Sequence, residues 1–199
     1  MKHYLRSVTQ NETKRRKRIV EYPSEHYTKH YILEALFKLM KEYEYEKISI
    51  IDITNKAGVG RATFYRHFKK KEDIIVYYFE HYKKEFVASR RFYPRCREDY
   101  IKQVEEVLTL FKNHTEQFKL IRKAHLEYVY LEYLNKNFSN MFEEEHPNAG
   151  RYAPLGYAGM LFNISMTWLD EGFEESIESL SKTIVDLIYF EKDCREERV

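Results

Sequence analysis

Glycine and proline are scarce in this chain, with 6 Gly and 4 Pro among 199 residues. An all-β sandwich or barrel needs a reversal about every ten residues and draws on both for its turns, so that class is excluded. Cysteine is scarcer still. Cys96 and Cys194 lie far apart in no CxxC pair, which reads as two reduced thiols rather than a disulfide framework or a zinc site. No stretch approaches about eighteen uninterrupted apolar residues, so no membrane span is expected. The opening MKHYLRSVTQNETKRRKRIV lacks the apolar centre of a secretory signal, so the chain is expected to be cytoplasmic. GxSxG, HExxH, a phosphate-cradling Gly-rich loop and a paired-Cys redox motif are all missing, so neither an enzyme nor a cofactor is expected. His114, His125 and His146 stand at no i, i+4 spacing from another His or Cys. They read as surface or core histidines, and no metal is expected.

What the chain has in quantity is apolar surface and unevenly placed charge. Hydrophobic residues make up 43% and aromatics 16%, enough for a packed core rather than global disorder. The net charge of +2 hides a division. Met1 to Lys71 holds 17 Lys and Arg against 8 Asp and Glu, a net +9, whereas Glu72 to Val199 holds 17 against 24, a net −7. A basic front on an acidic body suits a polyanion-binding head attached to something else. The first residues carry the run Lys14-Arg15-Arg16-Lys17-Arg18, which fits either a solvated tail or an arm along a phosphate track.

Periodicity then predicts helix throughout. Ile32, Ala35, Leu36, Leu39 and Met40 make one face of a helix from Pro23-Ser24 to about Tyr43. Ser49-Ile50-Ile51-Asp52 has the form of an N-terminal capping box. It opens a short helix to Lys56, with Ile50, Ile53 and Ala57 inward. Gly58 is placed to stop it in a left-handed conformation, Val59 to plug the corner, and a third helix carries Arg61 to Phe68. After a turn over Lys69 to Lys71, Glu72-Asp73 start a longer helix to about Phe86. Beyond Glu98 apolar stripes recur. Ile101, Val104, Val107, Leu108 and Phe111 form one, and Phe118, Ile121, Leu126 and the aromatics through Phe138 form the next. A polar loop covers Glu143 to Arg151. Pro154 suits a first helical turn, Gly172 a stop, and a last helix runs from about Glu175 to Phe190. The expected fold is all-α, with about nine helices. An N-terminal three-helix head with a helix-turn-helix precedes a C-terminal helical body, dividing the chain into a basic arm over 1–23, a head over 24–71 and a body over 72–199.

The stretch DITNKAGVGRATFYRHF, Asp52 to Phe68, carries the functional reading. Two short helices meeting at a Gly make a helix-turn-helix when the second can enter a major groove. Phe64 and Phe68 share the side expected to face the core, leaving Arg61, Ala62, Thr63, Tyr65 and His67 around the other. Arg61 can donate two parallel bonds to guanine, and the small Ala62 leaves room for a base edge or a thymine methyl. Thr63, Tyr65 and His67 are expected to hold phosphates, and Lys71 to add a cation beside the next helix. With Ser49, these are the candidate DNA-contacting residues. A basic solvated helix would explain the charge, but not the cap, the Gly corner, the small residue and the Phe pair in register.

The run Ile53 to Asp73, with its Ala-Gly-Val turn, Thr-Phe-Tyr triplet, His-Phe pair and Lys-Glu-Asp helix start, closely resembles the DNA-binding signature of the tetracycline-repressor (TetR) family. The resemblance covers about Tyr27 to Tyr82. One departure is Gly60, where the family usually has a Ser or Thr N-cap; if Gly takes the cap, this costs a few tenths of a kcal/mol. The resemblance implies a homodimer on a palindromic operator in double-stranded DNA. It also implies a body that forms both the dimer interface and a pocket for a small-molecule effector, whose binding changes the spacing of the two heads and releases repression.

Outside the head the resemblance is weak, apart from Tyr157 to Phe173. That stretch is similar to the penultimate helix of a subgroup with members linked to dihydroxyacetone metabolism. Gly156 and Gly159 would let two helices approach closely in a four-helix dimer interface with Ile177, Leu180, Ile184 and Leu187; the same faces could be monomer core. Tyr128, Tyr133, Phe138, Phe142, Tyr157 and Phe162 could line an apolar effector pocket with phenol hydroxyls to orient a ligand, or be plain core. A DNA-binding structural or partner protein without a ligand is the alternative.

Overall fold

The computed structural model describes residues 25–89, 96–145, 148 and 150–188. The basic arm, His146, Pro147 and Cys194 lie outside these. Among the described residues there are nine α-helices and no strand.

The head contains α1 (Glu25–Glu42), a 3-10 turn at Tyr45–Lys47, α2 (Ile50–Ala57) and α3 (Arg61–His67). The apolar stripe of α1 is buried as its spacing predicts, with Ile32 and Leu36 fully enclosed. α2 packs on α1 and on α3. Next comes α4 (Glu72–Ser89), which joins head and body. On it, Ile74, Ile75, Tyr78 and Phe79 are buried. The Tyr78 ring meets Phe37 of α1 edge-on at 5.1 Å, and Phe79 stacks on Tyr133 at 5.4 Å. One continuous apolar core therefore runs through head and body. An exposed ion pair from Lys41 to Glu116 (2.7 Å) ties α1 to α6 on the outside.

The body holds α5 (Arg97–Asn113), α6 (Thr115–Lys123), α7 (Glu127–Glu145), α8 (Ala153–Asp170) and α9 (Ile177–Ile188). The single stripe predicted from Phe118 through Phe138 is in fact broken between α6 and α7. His125 adopts φ +54°, and the amides of His125 and Leu126 return to the carbonyls of Arg122 and Ile121 at 3.1 and 3.0 Å. Ile121 and Leu126 both stay buried across this break, so burial follows the stripe while the backbone does not. Pro154 sits in the first turn of α8, and Gly172 (φ +71°) follows its end, both as expected. The last helix starts at Ile177 rather than Glu175, because the Glu175 carbonyl accepts the indole N–H of Trp168 (3.0 Å). α8 packs on α7 and α9 on α5.

Candidate nucleic-acid interface

The geometry around α2 and α3 is set locally. The hydroxyl of Ser49 accepts the Asp52 N–H (3.2 Å) and donates to Asp52 Oδ2 (2.6 Å), which also accepts the Ser49 N–H (2.9 Å). This reciprocal cap satisfies two backbone donors at the start of α2. It also holds the Asp52 carboxyl below its ordinary range, chiefly through the Ser49 hydroxyl. At the other end Gly58 takes φ +68°, ψ +31°, and its N–H reaches the Asn55 carbonyl while that of Val59 reaches Thr54 (3.2 and 3.0 Å). Only a residue without Cβ enters that region without strain. α3 then begins at an extended Gly60 with no side-chain cap.

Two rings fix the roll of α3. Phe64 is fully buried and Phe68 nearly so; their centroids lie 5.9 Å apart, and Phe68 meets Tyr77 of α4 at 5.8 Å. With that side inward, Arg61, Ala62, Tyr65 and Arg66 are exposed and Thr63 is half-buried at the flank. Arg61 and Arg66 have no hydrogen bond or ion pair among the described residues, so both guanidinium groups stand ready for an anion or a base edge. In the following turn the amides of Lys69 and Lys70 donate to Asp73 Oδ2 (2.8 and 3.1 Å), and both lysines are exposed. The exposed outer side of the motif therefore holds Arg61, Ala62, Tyr65, Arg66, Lys69 and Lys70.

Two of the candidate contact residues are less open than their polarity alone suggests. Both ring nitrogens of His67 are buried. At about 100° per residue His67 lies only about 60° from Phe64 around the helix, which sets its half-buried ring beside the apolar side of α3. Lys71 is also not a free cation. Its ammonium donates to the carbonyls of Tyr45 (2.7 Å) and Ile48 (2.9 Å) and stands 4.2 Å from the Tyr45 ring centroid. Ser49 is exposed, but its hydroxyl is engaged in the cap in both directions. Conversely, the sequence reading passed over Arg66, although its i, i+4 spacing from Ala62 marks it as outward.

The candidate effector residues are spread over several aromatic contacts. Tyr128 is 47% exposed. Tyr133 stacks on Phe79, Phe142 packs on Tyr157 at 5.0 Å, Tyr157 stacks on Phe138 at 6.2 Å, and Phe162 lies 6.1 Å from Tyr130. Burial pushes the phenols of Tyr130 and Tyr133 upward, so they remain neutral hydrogen-bonding groups. An open cleft of about 410 Å³ lies elsewhere, in the head between α1 and α2, lined by residues including Leu39, Tyr43, Lys47, Asp52 and Lys56.

Residues 32–78 match the family described as bacterial regulatory proteins, tetR family. An HTH-type transcriptional regulator of Staphylococcus aureus (strain USA300) is 32% identical over 98 residues, 49% of this chain and 51% of that one. The chain thus spans about half the length of the curated relatives it matches. Among solved structures, Lin0861 from Listeria innocua superposes with TM-score 0.69 at 19% identity, over 80% of this chain and 88% of that one. The dihydroxyacetone kinase operon activator DhaS does so with TM-score 0.52 at 19% identity, over 80% and 93%. At these identities the structural likeness shows a shared fold.

Proposed function

The chain belongs to the tetR family of bacterial regulatory proteins, a group of transcriptional regulators and not enzymes, and we propose that it is a cytoplasmic homodimer repressing transcription from a palindromic operator. The observation that carries this reading is the division of α3. Phe64 is locked inward, while Arg61, Ala62, Tyr65 and Arg66 face out from a helix short and narrow enough to enter a major groove. Two such heads related by a two-fold axis would read two half-sites of opposite sense.

The dimer reading is supported by the outer side of α8. Leu155 is 45% exposed, Gly156 is exposed, and a Cβ added at Gly156 or Gly159 would meet nothing within 4 Å. Leu187 on α9 is 57% exposed. Small residues and exposed apolar side chains on α8 and α9 suit contact with a second copy of the chain. The effector reading rests on the family alone. In it, a small molecule acts through different affinities for the DNA-fitting and non-fitting arrangements of the heads. The aromatic contacts among Phe138, Phe142 and Tyr157 fit equally the alternative of a DNA-binding structural or partner protein that takes no small molecule.

Sedimentation of the purified protein with and without a selected duplex tests the proposal. One dimer on a duplex with two inverted half-sites, and much weaker binding to a single half-site, is the expected result. A monomer that binds the single half-site equally well would contradict it. Coupling the selected site to a reporter then gives the sign of regulation: repression is expected, and activation would overturn that part.

A further inference from the structure

The ammonium of Lys71 closes the helix-turn-helix into a loop. Ile48 immediately precedes Ser49, the cap of α2, and Lys71 immediately precedes α4. The bond from Lys71 Nζ to the Ile48 carbonyl (2.9 Å) joins residues 23 apart, with α2 and α3 lying between them. The second bond, to Tyr45 (2.7 Å), spans 26 residues. Both acceptor segments are anchored, for Tyr45 is 6% and Ile48 3% exposed. Burial, and then the neighbouring Glu72 charge, push the Tyr45 phenol upward, so a neutral ring faces the ammonium at 4.2 Å. α3 has only seven residues and no side-chain cap, too few to hold a fixed direction without tertiary support. On the far side, α4 carries the body's core through Phe79, against Phe118 and Tyr130.

From these contacts we infer that Lys71 is a positioning residue for DNA reading: its ammonium clasps the base of the α2–α3 unit to the start of α4 and does not neutralise a phosphate. This rests on the DNA-binding reading above and adds a role to it. Reaching for a phosphate would require Lys71 to give up two charge-assisted bonds and its ring contact. Held in place, it makes α2 and α3 move as one body with α4. The third helix then enters a groove at an angle set by the clasp rather than by α3 itself.

The test uses Lys71→Ala, Lys71→Met, which keeps an apolar stem over Tyr45, and Lys71→Arg, which can donate to both carbonyls. Two probes are titrated by fluorescence anisotropy over a range of salt: a duplex selected by the wild-type protein from random-sequence DNA, and a poly(dI-dC) duplex. Loss of the clasp is expected to weaken the selected duplex about tenfold, to leave poly(dI-dC) affinity and both salt slopes unchanged, and to be largely restored by Lys71→Arg. If Lys71 instead contacts phosphate, both DNAs lose affinity and the slope of log K against log salt falls by about 0.9 per contact, which overturns the inference. Equal losses on both probes with unchanged slopes, showing only a smaller folded fraction, overturn it too, as does no change. Amide hydrogen exchange in DNA-free protein provides a separate readout. Lys71→Met should speed exchange across α2 and α3 while leaving α4 protected, and unchanged protection refutes the clasp whether or not any duplex is selected.

Discussion

Arg61→Ala offers the sharpest prediction about how α3 reads DNA. Arg61 opens the helix, is exposed, and has no internal partner among the described residues. No bond has to be broken before the guanidinium meets a base. A bidentate pair with guanine discriminates against the wrong base by about 1–3 kcal/mol, or about 5–150-fold per half-site. Ala62 beside it adds no bulk that would keep the backbone from the groove. The assay is an affinity panel in which each base pair of a selected duplex is changed in turn, measured at fixed salt with wild-type and Arg61→Ala proteins. The variant should lose discrimination at one base pair of each half-site and bind the altered duplexes nearly as the wild type does. Lys70→Ala supplies the contrast: an exposed cation with no base to read should weaken every duplex alike and lower the salt slope by about 0.9 per phosphate contact. An Arg61→Ala protein that loses the same factor on every duplex, with a flatter salt slope, would show Arg61 to be a phosphate ligand and refute the reasoning.

Phe64→Ala removes a ring that is fully buried and should cost about 3–5 kcal/mol in urea unfolding; a loss under about 1 kcal/mol would mean that the ring does not hold α3. At Gly58 the space around an added Cβ is open, so Gly58→Ala should cost only the left-handed conformational term, about 1–2 kcal/mol in the same assay. Asp52 has a depressed pKa in the fold through the Ser49 bonds. Its cap contribution is thus fully present above the ordinary Asp range and lost as pH falls through the depressed value. Wild-type melting temperature should therefore drop more steeply than that of Asp52→Asn on acidification, and parallel curves would deny the cap this role. Gly159→Trp adds a large ring at a position where a Cβ meets nothing within 4 Å, and should turn a sedimenting dimer into a monomer without changing the helical circular dichroism; an intact dimer would put the interface elsewhere.

How much was legible in the sequence depended on how far each side chain reaches. The cap at Ser49 and the stop at Gly58 are settled within three or four residues, so spacing alone reveals them. Phe64 and Phe68 were placed correctly because one helix face is enough to sort large apolar rings. His67 lies closer to the core than its polarity suggested, because its angular position is beside that of Phe64. Lys71 lay beyond such reasoning, since its acceptors are 23 and 26 residues back along the chain. The aromatic stripe of the body showed which side is apolar. It could not show that Tyr133 faces Phe79 on α4 while Phe142 and Tyr157 face each other, because periodicity names a face and not its neighbour.

The most direct test of the central claim is to select genomic fragments on the purified wild-type protein at near-physiological salt and to sequence what is retained. The account predicts a few strongly enriched fragments sharing one inverted repeat, with the enrichment lost for Arg61→Ala. Diffuse recovery without a shared site, indifferent to that substitution, would contradict it.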